Sequence, residues 1–537
     1  MENNKTKNQE YKYKVKQIKT PLMEIFQRMT LAGQVAQLMM IDFDGQEISG
    51  DTKQHLSCLP WGGVILFSKN IGTYHQLQAL NRSIVNLYSR GGVPPVISVD
   101  QEGGLVNRAD FENMHLSPGN MALSHCGDLS LVRKCAFISG VELRELGFHL
   151  NYAPVADVNI NPRNPIIGAR SFGENPALTA KMSASAVEGY LDAGIAPCAK
   201  HFPGHGDTIQ DSHIGLPVVT GDMSRLRAVE LPPFDASIRA GVPAIMTAHV
   251  HYPAIDPDDK IPATMSRIAL KEILRDELGF EGLIITDSML MKAISDSYGP
   301  GPGATSAINA GADMVMMCGS PGSQLEAHGA VVKAVEKGDI SRHRIDESLA
   351  RVAVFKEKFV TSPPEIPEIS PRERLDTVTE ASRRGVAVLN DPDDLLPVEL
   401  SGRRIRILSP CRVYHRDLFS EARGASLYDF INGKNPGHLD HTLYDGEDPD
   451  SLEKVFLEIS PESYDLIIME LYGLGRIPED VTRAAIACCS RMRESGVPVL
   501  SVAMASPYGL PFNATATATA YNCSTLSTTA LAEKIFS

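Results

Sequence analysis

From about residue 35, short runs of apolar and β-branched residues alternate with longer amphipathic stretches. The runs are VAQLMMIDF (35–43), GGVILFS (62–68), PPVISVD (94–100), FHLNYAPVADV (148–158), PCAKHFP (197–203), PAIMTAHV (243–250), GLIITDS (282–288) and ADMVMMC (312–318). Each is nearly continuous in apolar residues, as a parallel strand buried on both faces should be. Between them lie stretches with helical patterning, such as 73–89, 130–146, 176–193 and 266–280. The last opens with Ser266 as a helix N-cap and carries Gly279 near its end. Eight strands mostly separated by helices predict an α/β chain whose first domain, residues 21–360, is a (β/α)8 TIM-type barrel. A polar tail, residues 1–20, precedes it.

The stretch TSPPEIPEISPRER (361–374) breaks the rhythm. Its prolines exclude a continuous helix, so it reads as a linker. A second α/β pattern follows over 375–537, with strands expected at 385–391, 404–410, 464–470, 498–504 and 514–522 and helices at 374–384, 477–496 and 527–536. This predicts a smaller α/β sandwich domain, an open sheet with helices on both sides. No GxGxxG fingerprint occurs in it, so no nucleotide is assigned.

A barrel demands that its chemistry sit at the C-terminal ends of the strands. The runs do end in polar residues: Asp42, Ser68, Asp100, Asp157, Lys200, His201, His249 and Asp287. Composition narrows the partner. The 537 residues carry a net charge of −14, spread along the chain, which argues against nucleic acid or an anionic membrane surface. No run of about eighteen apolar residues exists, so no membrane span is expected. The opening MENNKTKNQEYKYK has no apolar core of a secretory signal, and the nine cysteines form no CxxC pair. Free thiols in a reducing, cytoplasmic compartment are the expectation.

One loop is dense in titratable groups: KHFPGHGDTIQDSHIGLP (200–217). His201 and His205 are four apart, but Pro203, Gly204 and Gly206 argue against the helix that would pair them on a metal. No GxxxxGK[ST] phosphate cradle is present. Asp211-Ser212-His213 places a carboxylate two residues from an imidazole. Such a pair orients the ring and favours its protonated form, which suits proton transfer to a leaving group. A loop-stabilising Asp–His hydrogen bond would use the same residues. Asp287, closing an apolar strand, is costly unless used or well bonded. An acid and a nucleophile flanking a bond describe glycoside hydrolysis.

These segments resemble glycoside hydrolase family 3, in its β-N-acetylglucosaminidase branch. The resemblance rests on KHFPGHGDTIQDSH, and on DQEGG (100–104), PVADVNINPRNPIIGARSFGENP (154–176), IMTAHVHYPAID (245–256), PATMSRIALKEILRDELGFEGLIITDSMLM (262–291) and NAGADMVMM (309–317). It covers about residues 22–360, and the C-terminal region resembles the family's second domain more loosely. It implies Asp287 as nucleophile, His213 as acid/base and Asp211 as the carboxylate partner of His213. It implies that Asp100, Arg170, Lys200 and His201 hold the N-acetylglucosamine, with Arg108 near the site. The glycines of PGHG are expected to let the loop swing. Leu105 departs from the family, where many members carry arginine. The implied activity is a retaining exo-β-N-acetylglucosaminidase acting on cell-wall fragments or chitin oligosaccharides. A phosphorylase using the same residues is the alternative. No metal and no organic cofactor are expected. The partner would be a small carbohydrate, and the chain a monomer or homodimer.

Overall fold

The computed structural model describes residues 20–89, 93–211, 215–257, 260–411, 426–434, 436–445 and 454–537. Eight strands, Met39–Ile41 (β1), Gly63–Leu66 (β2), Val96–Val99 (β3), Leu150–Asn151 (β4), Ala196–Phe202 (β5), Ala244–Thr247 (β6), Leu283–Ser288 (β7) and Met314–Met317 (β8), close into a barrel. Each strand is parallel to both neighbours, and their order around the barrel is their order in the sequence. Closure leaves no edge strand exposed. All eight apolar runs supply a strand. The first is shorter than its run, because Thr30 accepts from the Gly33 amide at 3.2 Å and starts a helix that takes residues through Ala36.

The outer helices begin and end where local chemistry dictates. Asn175 accepts from the Leu178 amide and Pro176 stands in the first turn of the helix Pro176–Asp192. The helix Leu129–Leu146 is capped by Asp128 and stopped by Gly147 in the left-handed conformation. Ser266 accepts from the Ala269 amide at 3.1 Å, but the turn it starts is wound wider than an α-helix over Ile268–Glu277. Among the described residues no helix is long and apolar enough to cross a membrane.

After β3 the chain makes a two-stranded hairpin, Gln101–Gly103 against Val106–Asn107. Gly103 and Gly104 turn it at positive φ, +85° and +62°. The hairpin carries Glu102 and Arg108 to the barrel mouth.

The second sheet contains Ala387–Asn390 (β9), Arg404–Pro410 (β10), His438–Tyr444 (β11), Leu466–Leu471 (β12), Val499–Ala503 (β13) and Ala516–Thr519 (β14). Their spatial order is β9-β14-β13-β12-β10-β11, parallel except for the antiparallel β9. β11 is absent from the sequence expectation. Its sequence HLDHTLY is largely polar because it forms a half-exposed sheet edge, so it has no apolar run to reveal it. The helix leading into this domain starts at Pro371, three residues before 374. Ser370 caps it by accepting from the Glu373 amide, and proline is well suited to a first turn.

The domains meet over an apolar cluster in which Leu105, Ile166 and Ile167 of the barrel pack with Leu474 and Tyr521. At the margin Arg374 makes two hydrogen bonds to the Glu145 carboxylate, 2.9 and 2.6 Å, and Asn522 donates to the Pro118 carbonyl at 2.6 Å.

Candidate active site

The C-terminal ends of the strands surround a cavity of about 360 Å³, a size suited to a small ligand. Asp100, Arg108, Arg170, Lys200, His201 and Asp287 all line it. These residues are scattered over nearly 190 positions of sequence, and barrel closure brings them together (287 − 100 = 187). Asp287 stands next to the last residue of β7, and one of its oxygens accepts from the Ser288 amide at 2.7 Å.

A buried ion network forms one wall. Lys200 donates to Asp100 at 2.6 Å and lies 2.6 Å from Glu102. Arg170 grips Glu102 with two hydrogen bonds, 2.9 Å from Nε and 2.8 Å from Nη2. Burial raises the pKa of the Glu102 carboxyl, but Arg170 and Lys200 outweigh it and hold the group below the usual carboxylate range. Burial pulls Lys200 down, but Asp100 and Glu102 outweigh it and keep its ammonium charged. The cations are therefore fixed before any ligand arrives, so little reorganisation remains to be done on binding.

His201 is oriented from behind. Its Nδ1 lies 2.7 Å from Asp157 Oδ2, and the amides of His201 and His205 both donate to Asp157 Oδ1. Burial raises the Asp157 carboxyl, yet His201 and these donors bring it below its ordinary value. His205 also faces the cavity, and its Nδ1 lies 2.9 Å from the Thr208 hydroxyl. Burial first, and His201 second, push its imidazole down to about 4, so it is neutral near neutrality. Among the described residues no set of three His, Cys, Asp or Glu side chains converges as a metal site.

Arg108 lies with its guanidinium 5.7 Å from the centre of the Phe67 ring, and both side chains line the cavity. Its Nε and Nη1 are buried and make no hydrogen bond among the described residues. Burial lowers its pKa, and Asp100 and Glu102 oppose that shift.

The loop after β5 differs from the expected swinging arm. Pro203, Gly204, His205 and Gly206 are all buried. A Cβ on Gly206 would fall 1.8 Å from the Val158 carbonyl oxygen, and one on Gly204 would fall 2.9 Å from the Glu230 side chain. These glycines serve close packing, and they anchor the loop. Asp211 follows this anchored stretch and is half-buried. His213 lies outside the described residues.

A family model, glycosyl hydrolase family 3 N-terminal domain, matches residues 30–355 of this chain. The chain belongs to glycoside hydrolase family 3. Among the family's curated proteins, a beta-hexosaminidase A of Pseudoalteromonas piscicida is 34% identical over 372 residues, 62% of this chain. The chain spans 62% of the length of that relative. A beta-hexosaminidase of Alkalilimnicola ehrlichii is 37% identical over 53% of this chain and 81% of its own. Among solved structures, a glycoside hydrolase family 3 beta-N-acetylglucosaminidase from Paenibacillus sp. str. FPU-7 superposes with a TM-score of 0.84 at 32% identity. It covers 94% of this chain and 96% of its own. A beta-glucoside phosphorylase at 20% identity and a TM-score of 0.78 shares the fold.

Within this family 3 chain, Glu102 and Asp157 are site residues that the sequence reading did not single out as such. Glu102 had a visible signal: an acid inside the glycine hairpin DQEGG, two residues after a strand end. In the sequence Asp157 is only one polar strand end among several, because its role depends on which imidazole reaches it. Leu105 turns into the interdomain cluster and does not line the cavity.

Proposed function

We propose that the chain is a retaining exo-β-N-acetylglucosaminidase, which releases non-reducing terminal N-acetylglucosamine from cell-wall fragments or chitin oligosaccharides. The observation that carries this reading is the position of Asp287. It lines the same cavity as Asp100, Arg170, Lys200 and His201, while Asp211 follows the loop that walls the cavity.

In this reading the fixed Lys200, Arg170 and Asp100 hydrogen-bond the sugar hydroxyls and the acetamido group through charge-assisted contacts. Asp287 attacks the anomeric carbon as the bond to the leaving oxygen breaks. His213, held charged by Asp211, gives its proton to that oxygen. A covalent glycosyl–Asp287 ester results. His213, now neutral, then takes a proton from water, the water oxygen attacks the anomeric carbon, and Asp287 leaves as carboxylate. The likeness to the Paenibacillus β-N-acetylglucosaminidase over nearly the whole chain supports the choice of sugar.

The test is turnover of an aryl β-N-acetylglucosaminide, with the anomer of the first-formed sugar read by NMR. The β-anomer and a fluoro-sugar adduct on Asp287 are expected. Asp287→Ala should lower kcat by about 10⁴-fold or more while the protein stays folded. Near-wild-type turnover by that variant sinks the assignment. Sugar 1-phosphate formed in the presence of inorganic phosphate, at the expense of free sugar, would convert the reading to a phosphorylase.

A further inference from the structure

The second domain meets the barrel through a tight backbone contact directly behind the cavity wall. Gly475, in the loop after β12, donates its amide to the Pro165 carbonyl at 3.2 Å. A Cβ on Gly475 would fall 2.2 Å from the Pro165 carbonyl carbon and 2.4 Å from the Asn164 oxygen. From the other side, a Cβ on Gly168 would fall 2.3 Å from the Gly475 oxygen, and Gly168 holds a positive φ of +46°. Neither glycine tolerates a side chain unless the backbones separate. Ser506 fixes the second-domain side by donating to the Gly475 carbonyl at 2.6 Å.

What this contact grips is a short loop with two outputs. Ile166, Ile167 and Arg170 line the cavity. Arg170 is tied back to the same loop, donating from Nη1 to the Ile166 carbonyl at 3.1 Å. Asn164 accepts from the Ile166 and Ile167 amides at 2.9 and 2.8 Å. Its own amide nitrogen donates to the His205 carbonyl at 2.8 Å and to the Thr208 hydroxyl at 3.3 Å. One loop thus sets both Arg170 and the stretch that leads to Asp211.

We propose that the second domain is a positioning element for the active site, with Gly475 as its contact residue. It holds the 164–170 loop so that Arg170 meets the sugar and the described stretch from His205 to Thr208 keeps its place. The inference rests on the cavity's being the substrate site of the proposed glycosidase. Shifts of about 1 Å in a positioning element can cost about 100-fold in rate, so a crowded backbone contact is an effective lever.

The test compares two crowded glycines in the full chain. Gly475→Ala forces the two backbones apart. Gly437→Ala is the control, because its Cβ would fall 2.5 Å from the Gly402 oxygen, a similar clash within the second domain. For Gly475→Ala, amide hydrogen exchange should rise at 164–171 and 203–208. Its kcat/KM on an aryl N-acetylglucosaminide, per titrated active site, should fall about 10-fold to 100-fold. Gly437→Ala should show neither change. Wild-type exchange and kcat/KM in Gly475→Ala, or equal losses in both variants, overturn the inference. Should Gly475→Ala not fold, Ser506→Ala removes only the hydrogen bond to the Gly475 carbonyl and must shift exchange at 164–171 in the same direction, and no shift overturns the inference. If the wild type does not turn over N-acetylglucosaminides, the functional reading fails, and hydrogen exchange alone then decides this inference.

Discussion

Arg170 and Glu102 face each other across the cavity wall in a two-point grip, Nε to Oε2 at 2.9 Å and Nη2 to Oε1 at 2.8 Å. Both side chains are nearly fully buried, and Lys200 adds a second cation to the same carboxylate. A carboxylate so placed serves two buried cations at once, and its removal takes from Arg170 and Lys200 their common hydrogen-bonded partner.

Glu102→Gln should therefore be among the most damaging isosteric changes in the protein. Breaking a buried ion pair by removing one partner costs about 3–5 kcal/mol. The Glu102 pKa is depressed in the folded state, so its stabilisation is fully present above its unfolded value and is lost as pH falls through its lower folded value. Urea denaturation at pH 7 should show the variant's full deficit, and the deficit should narrow as the medium is acidified below about pH 4.5. A deficit independent of pH would contradict the depressed pKa.

Asp157→Asn should impair the site without touching the sugar. Asn offers one acceptor oxygen, and its amide would face donors that now point at a carboxylate. Hydrogen bonds to a charged group contribute about 1.5–3 kcal/mol, so kcat/KM should fall about 10-fold to 100-fold. Steady-state kinetics with an aryl N-acetylglucosaminide measure this. A variant with unchanged kcat/KM would mean that the orientation of His201 is immaterial.

His213→Gln separates acid catalysis from binding. Proton donation to the leaving oxygen is worth about 10²–10⁴-fold. For kcat/KM, which reports the first chemical step, the loss should be large with a sugar or alkyl leaving group and small with a nitrophenol that needs little protonation. Equal losses on both substrates would remove His213 from the acid role.

His205 predicts a pH effect of its own. Its folded pKa of about 4 lies below the ordinary value of about 6.5, so the unfolded chain binds a proton that the folded chain refuses. Stability should fall as pH drops from about 6.5 to 4, by about 3 kcal/mol from this residue. His205→Gln lacks that component. It should be less stable than wild type at pH 7, and the gap should shrink by pH 4.5 in chemical denaturation. A gap that grows on acidification would show His205 protonated in the folded state.

The fold class is legible in the sequence because parallel strands buried on both faces must be apolar nearly throughout, and eight such runs recur at βα spacing. The strand-end rule then singles out Asp100, Lys200, His201 and Asp287 from sequence alone. β11 stays hidden, because an edge strand is half in water and HLDHTLY carries no apolar run. The start at Pro371 is missed for a different reason: proline signals a break in a helix interior, but in a first turn it continues the helix.

The sequence by itself determined the polypeptide's periodicity, and with it the barrel, the second α/β domain and the acids and bases at the strand ends. Tertiary structure alone decided which charge meets which. Glu102 joins Arg170 and Lys200 across 68 and 98 residues (170 − 102 and 200 − 102), and Asp157 finds His201 across 44. Pairing at such separations is set by barrel closure, which no local pattern encodes. The same holds for the glycines of PGHG: locally they read as freedom, but the backbone of Val158 pressed against Gly206 makes them a requirement of packing.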